Sequence, residues 1–145
     1  MKKILLMAFV ALGIAAMTSC TQSNADLIIG TWDVNLQNSY TGFTYGGESE
    51  RYTLAELDVT AYTFTFDENG ELTVNDEQRG MSFTDYFDYV VEGDSMFILD
   101  GDSSRSAYAI LALDKKNLVL ENTDNTMLDS LPASFVDHLE MTRAK

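Results

Sequence analysis

The residues able to do chemistry are few in this chain. It holds one histidine, His138, and one cysteine, Cys20, among 145 residues. His138 follows Asp137, and with a serine the two could form a nucleophilic triad. The spacing supplies no nucleophile elbow and no Gly-rich oxyanion loop, so the simpler reading is a solvent-facing histidine at a strand start. Asp67, Glu68, Asn69 and Gly70 look like part of a calcium loop. With Gly70 at the sixth position, Thr65 falls first and Asp76 twelfth, where Asp and Glu are required, and the match fails. Asp100, Gly101, Asp102 and Asp124 could hold a hard cation weakly, although a solvated turn explains them more simply. One cysteine excludes an internal disulfide and a multi-thiolate metal centre. The chain reads as a non-enzyme with no metal and no cofactor.

The aromatic residues are richer material. Trp32, Tyr62, Phe64, Phe66, Phe87, Tyr89 and Tyr108 fall on strand faces assigned inward. They could fill a small barrel, which is just wide enough for its own side chains. Alternatively Tyr62, Phe64, Phe66, Phe87, Tyr89 and Tyr108 line an apolar cavity in which tyrosine hydroxyls orient a ligand. Tyr40, Phe43, Tyr45 and Tyr52 lie in a polar, glycine-containing stretch and could form a rim or a partner patch.

Strands must position these rings, because the pattern has period two. Ile28, Gly30, Trp32, Val34 and Leu36 share one parity; Tyr62, Phe64 and Phe66 alternate with threonines. Eight strands are expected: 28–36, 62–66, 71–75, 82–91, 95–99, 106–113, 118–122 and 138–143. Asp67 to Gly70 suits a type I turn with a bulge, and Asp114 to Asn117 repeats the chemistry with Asn117 in the left-handed position. Tight turns between successive strands make a meander, and eight strands can close into an up-and-down barrel. Two segments interrupt it. Residues 37–61 carry Thr53 and Glu56 at capping-box spacing, leaving room for a short helix over Tyr52–Val59. Residues 123–137, with Pro132, read as a packed lid with room for one helical turn.

The N-terminus reads as an address. Lys2 and Lys3 precede a fourteen-residue apolar run, Ile4 to Met17, too short for the ~20 residues that span a bilayer. Met17, Thr18, Ser19 and Cys20 resemble a bacterial lipobox. That resemblance implies removal of residues 1–19 and lipidation of Cys20 with diacylglycerol and palmitate-type chains. Residues 20–26 would be the lipidated cysteine and a short polar tether, and residues 27–145 the domain. Loss of Lys2 and Lys3 takes the formal charge from −14 to −16. Such a surface repels nucleic acid and anionic headgroups, so the acyl chains must supply membrane attachment. No dense acidic run follows Cys20, which favours the periplasmic face of an outer membrane.

Taken in order, Ile29-Gly30-Thr31-Trp32, Tyr62–Phe66 with its Asp67–Gly70 turn, Leu113-Asp114 through Leu118–Leu120, and Leu139–Arg143 resemble the short lipocalin-like domains of Bacteroidetes lipoproteins, a calycin-type all-β barrel. The resemblance spans residues 27–143. It implies a barrel closed by Gly30, Trp32 and Arg143, with the arginine packed against the first-strand tryptophan. The resemblance implies the fold; the expected function, from the aromatic lining and the address together, is a membrane-anchored lipoprotein that binds a small apolar or amphipathic ligand. The alternative is a filled barrel that contacts an envelope protein or glycan.

Overall fold

The computed structural model describes residues 22–101 and 104–145. A short helix, α1 (Asn24–Ile28), leads into ten strands. These are β1 (Gly30–Val34), β2 (Tyr40–Tyr45), β3 (Glu48–Thr53), β4 (Val59–Phe66) and β5 (Glu71–Gln78). They continue as β6 (Met81–Glu92), β7 (Ser95–Leu99), β8 (Arg105–Leu113), β9 (Asn117–Leu128) and β10 (Leu131–Arg143). Eight close an antiparallel barrel in the order β1, β4, β5, β6, β7, β8, β9, β10, with β10 pairing back to β1. These eight are the expected strands, several of them longer than their apolar alternation indicates.

The other two correct the reading of residues 37–61. They form a β2–β3 hairpin that adds to the first half of β10, pairing Tyr40 with His138 and Tyr45 with Ala133. Gly46 and Gly47 make its turn, both in the left-handed region. The Thr53–Glu56 capping box does form: the Glu56 carboxylate accepts from the Thr53 amide at 2.7 Å, and the Glu56 amide donates to the Thr53 hydroxyl at 3.2 Å. It opens a turn over residues 54–58 rather than a helix, because Asp58 adopts φ 61° and sends the chain into β4. Residues 123–137 are likewise neither lid nor helix. They are the outer halves of β9 and β10, joined at Asp129 and Ser130. Beyond the barrel, β9, β10, β2 and β3 therefore continue as a four-stranded arm.

Other local corrections have clear causes. Ile28 belongs to α1, not to the first strand, and part of the expected tether is helical; Ser23 caps α1 by accepting from the Asp26 amide at 3.3 Å. Asn117 is not left-handed. Instead Asp114 closes that turn alone, its Oδ1 accepting from the Lys116 and Asn117 amides at 2.6 and 2.9 Å.

Alternation buries one face of each barrel strand. Ile28, Trp32, Phe66, Leu72, Met96, Leu118 and Leu120 lose essentially all contact with water. They lie toward the end covered by α1, whose Asn24 amide donates to the Gly93 carbonyl and to Asp94. At the other end stand the β5–β6 and β9–β10 turns, where residues 81–86 and 123–130 are all exposed. One end is packed and the other is open. Among the described residues no helix is long and apolar enough to cross a membrane.

Candidate functional site: the open mouth of the barrel

The closed end is built around Trp32. Its indole N–H donates to the Ile28 carbonyl at 2.7 Å, and the Arg143 guanidinium lies 4.2 Å from the ring centroid. Trp32 and Arg143 are direct cross-strand partners where β1 meets β10. Arg143 also donates to the carbonyls of Lys115, Ile29 and Leu27 at 2.9, 2.7 and 2.6 Å. Gly30 makes room for this: a Cβ there would collide with Nη1 of Arg143.

At the opposite end the barrel opens into a cavity of about 320 Å³. From β4 it receives Tyr62 and Phe64, and from β5 Val74 and Asp76. From β6 come Asp85 and Phe87, from β7 Ile98, and from β8 Ser106 and Tyr108. Four of the six expected lining residues, Tyr62, Phe64, Phe87 and Tyr108, thus border one space. Phe66 and Tyr89 do not, and this corrects their assignment. They lie deeper, where Phe66 meets Phe64 at 6.2 Å and Tyr89 edge-on at 5.0 Å. The Tyr89 hydroxyl donates to the Asp67 carbonyl at 2.6 Å, at the closed end. Strand parity puts all six rings inside; only the distance along each strand separates floor from filling.

The lining is aromatic and acidic together. Tyr62 packs on Phe64 at 5.1 Å. Burial pushes the Tyr62 phenol up to about 12, and charge on Tyr108, Asp76, Asp137 and Asp85 adds to the effect. Burial also raises Tyr108, with Asp137 contributing. Asp76 and Asp85 are functional candidates the aromatic inventory passes over. The signal was parity: Asp76 follows Leu72 and Val74 inward, and Asp85 precedes Phe87 and Tyr89.

The other sequence candidates disperse. Asp137 and His138 lie on opposite faces of β10, so the two do not form a dyad. His138 is a mid-strand, largely covered residue rather than a strand-end one, with Nδ1 2.9 Å from Glu121 and Nε2 3.6 Å from Glu140. It stacks on Tyr40 at 4.9 Å, and the Arg51 guanidinium lies 3.3 Å from the Tyr40 centroid. No described hydrogen bond joins it to a serine. The Asp67 carboxylate accepts from the Asn69 and Glu71 amides, which holds it below the usual range. Among the described residues no three His, Cys, Asp or Glu gather as a metal site. Phe43, Tyr45 and Phe135 cluster on the arm face continuous with the barrel interior; Tyr40 faces the other way. Cys20 and Asp102 lie outside the described residues.

A larger depression, about 530 Å³, sits on the arm among Thr44, Gly47, Asn125, Met127, Pro132 and Ser134. It has neither an aromatic nor a charged side chain in its lining, so it offers a ligand little orientation. The mouth cavity is the better-built site.

No family model matches the sequence, and neither does any curated protein. Solved structures do match, among them a lipocalin-like protein from Bacteroides uniformis ATCC 8492. It is 15% identical with a TM-score of 0.42, over 74% of this chain and 96% of that one. The eight-stranded antiparallel barrel, its first and last strands joined at Trp32 and Arg143, has a lipocalin-like fold.

Proposed function

We propose that this protein is a membrane-anchored binding protein that takes a small apolar or amphipathic molecule through the barrel mouth. One observation carries the reading: a solvent-connected cavity of about 320 Å³ bordered by Tyr62, Phe64, Phe87 and Tyr108. That volume sits at the lower end of ligand sites, which start near ~300 Å³. The anchor is Cys20, acylated after removal of residues 1–19. Lys2 and Lys3, the apolar run and Met17 to Cys20 support it. The attached domain then faces the periplasm from the outer membrane. The decisive experiment is native mass spectrometry with lipid extraction of the protein purified from its own host. A stoichiometric small molecule, lost on Phe64→Ala or Phe87→Ala substitution, is the expected result.

A second reading, an interaction module for an envelope protein or glycan, draws on the arm. Tyr52, Met127, Leu128, Leu131 and Phe135 are all exposed there. Repeated extraction of folded protein without any bound molecule would favour it over the first.

A further inference from the structure

The mouth is not a neutral apolar cup. Asp76 and Asp85 line it as diagonal neighbours across the β5–β6 pair, and Asp137 faces Tyr62 and Tyr108 from β10. None of the three carboxylates has an ion pair or a hydrogen bond among the described residues. No described cation pairs with them. Arg79, in the β5–β6 turn at this open end, pairs with Asp58, and Arg105 lies over Phe97 beside Glu92. Arg51 covers Tyr40 on the outer face, and Arg143 covers Trp32 at the closed end beside Lys115 and Lys116. His138 points outward to Glu121, and Lys145 ends the chain.

We propose that the mouth selects an amphipathic ligand with a cationic head, an alkyl or aryl ammonium, its apolar part against Phe64, Val74 and Ile98 and its charge between Asp76 and Asp85. The proposal rests on the ligand-binding reading and names the ligand class. A neutral apolar ligand seated here would strip water from carboxylates without giving them a partner, which is costly. An anionic amphiphile would add repulsion to that cost. A cation removes both penalties, and the faces of Tyr62, Phe87 and Tyr108 are attractive to it as well. Burial is the main reason the Tyr62 phenol is raised, and the charges of Asp76, Asp137 and Asp85 add to it, consistent with a negative field at the mouth. A formal charge of −14 over the whole chain draws cations toward the mouth from a distance.

The test is equilibrium titration of the purified full chain in phosphatidylcholine nanodiscs, with empty nanodiscs as the blank. Octyltrimethylammonium, octanol and octanoate share one chain length and differ in head charge. Octyltrimethylammonium should bind at least about tenfold tighter than the other two, the equivalent of ~1.4 kcal/mol. The preference should shrink as salt is raised. The Asp76→Asn, Asp85→Asn double variant should lose it while keeping the affinity for octanol. Equal binding of all three, or tighter octanoate, overturns the cation proposal and leaves the ligand-binding reading standing. Binding of none by folded protein overturns both. A preference that survives in the folded double variant, or is insensitive to salt in the parent, overturns the assignment to these carboxylates.

Discussion

Arg143 shows how much one side chain can hold. Its three donating nitrogens satisfy the carbonyls of Leu27, Ile29 and Lys115, which join α1, the start of β1 and the β8–β9 turn. Its flat face covers Trp32. Arg143→Ala should cost roughly 1–3 kcal/mol, because it strips three carbonyls of partners, and should shift Trp32 emission. Arg143→Lys should recover only part, since an ammonium has no fork and stacks less well. An unchanged melting midpoint and spectrum in both variants would mean that the guanidinium contributes nothing. Gly30→Ala should destabilise by at least ~1 kcal/mol through the same contact, as φ +130° and the arginine both exclude a side chain. Tyr62 gives a pH signature. Its folded pKa, about 12, lies above the ordinary 10, so the folded state holds a proton that the unfolded state has released. Its contribution is complete below pH 10 and is lost as pH rises toward 12. Urea unfolding should therefore show a steeper alkaline loss in the parent than in Tyr62→Phe. Tyr108 and Tyr89 shift in the same direction, so the variant keeps part of the slope. Identical slopes would contradict the burial argument.

At the scale of elements, what could be read was what is half-buried. Ser95–Leu99 is legible to the residue because Met96 and Ile98 point inward between two turns. The β4–β5 hairpin is equally plain from three inward rings followed by Asp67 and Gly70. The arm was not legible, for a physical reason. Glu48–Thr53 is exposed over its first five residues, so neither face carries an apolar period. Its only signal was Gly46 with Gly47 between Tyr45 and Glu48, a two-residue hairpin turn. Thr123 to Thr126 is polar throughout for the same reason, and there pairing with β10 sustains the strand. The turn beyond it is strained: Asp129 and Ser130 hold φ 48° and 68° without being glycine. Ser130→Gly should relieve that strain and raise stability by about 1 kcal/mol. Amide exchange at Thr126 and Leu128, which face Ala133 and Leu131 across the hairpin, should slow with it. Faster exchange in the variant would show that the serine side chain, not the backbone, sets the turn.

For the whole molecule, the site and the start of α1 lie at opposite ends. Asn24 ties the start of α1 to Gly93 and Asp94 at the closed end. Only Thr21, Gln22 and Ser23 separate it from Cys20, a reach of at most about 14 Å. From the Lys115–Lys116 turn, the twelve residues of β9 run roughly 40 Å toward the arm tip at ~3.3 Å each. An acyl anchor at Cys20 would thus hold the packed base near the bilayer and leave the acidic mouth toward the aqueous side. This arrangement suits a surface that anionic headgroups repel. It also separates two properties that a membrane-facing mouth would couple. Cys20→Ala should move the protein from the membrane pellet to the soluble fraction after a carbonate wash. The affinity of the released protein for octyltrimethylammonium should match that of the anchored form. Retention in the pellet would defeat the anchor. Release accompanied by a tenfold change in affinity would place the mouth against the membrane, and the orientation drawn from Asn24 and α1 would have to be reversed.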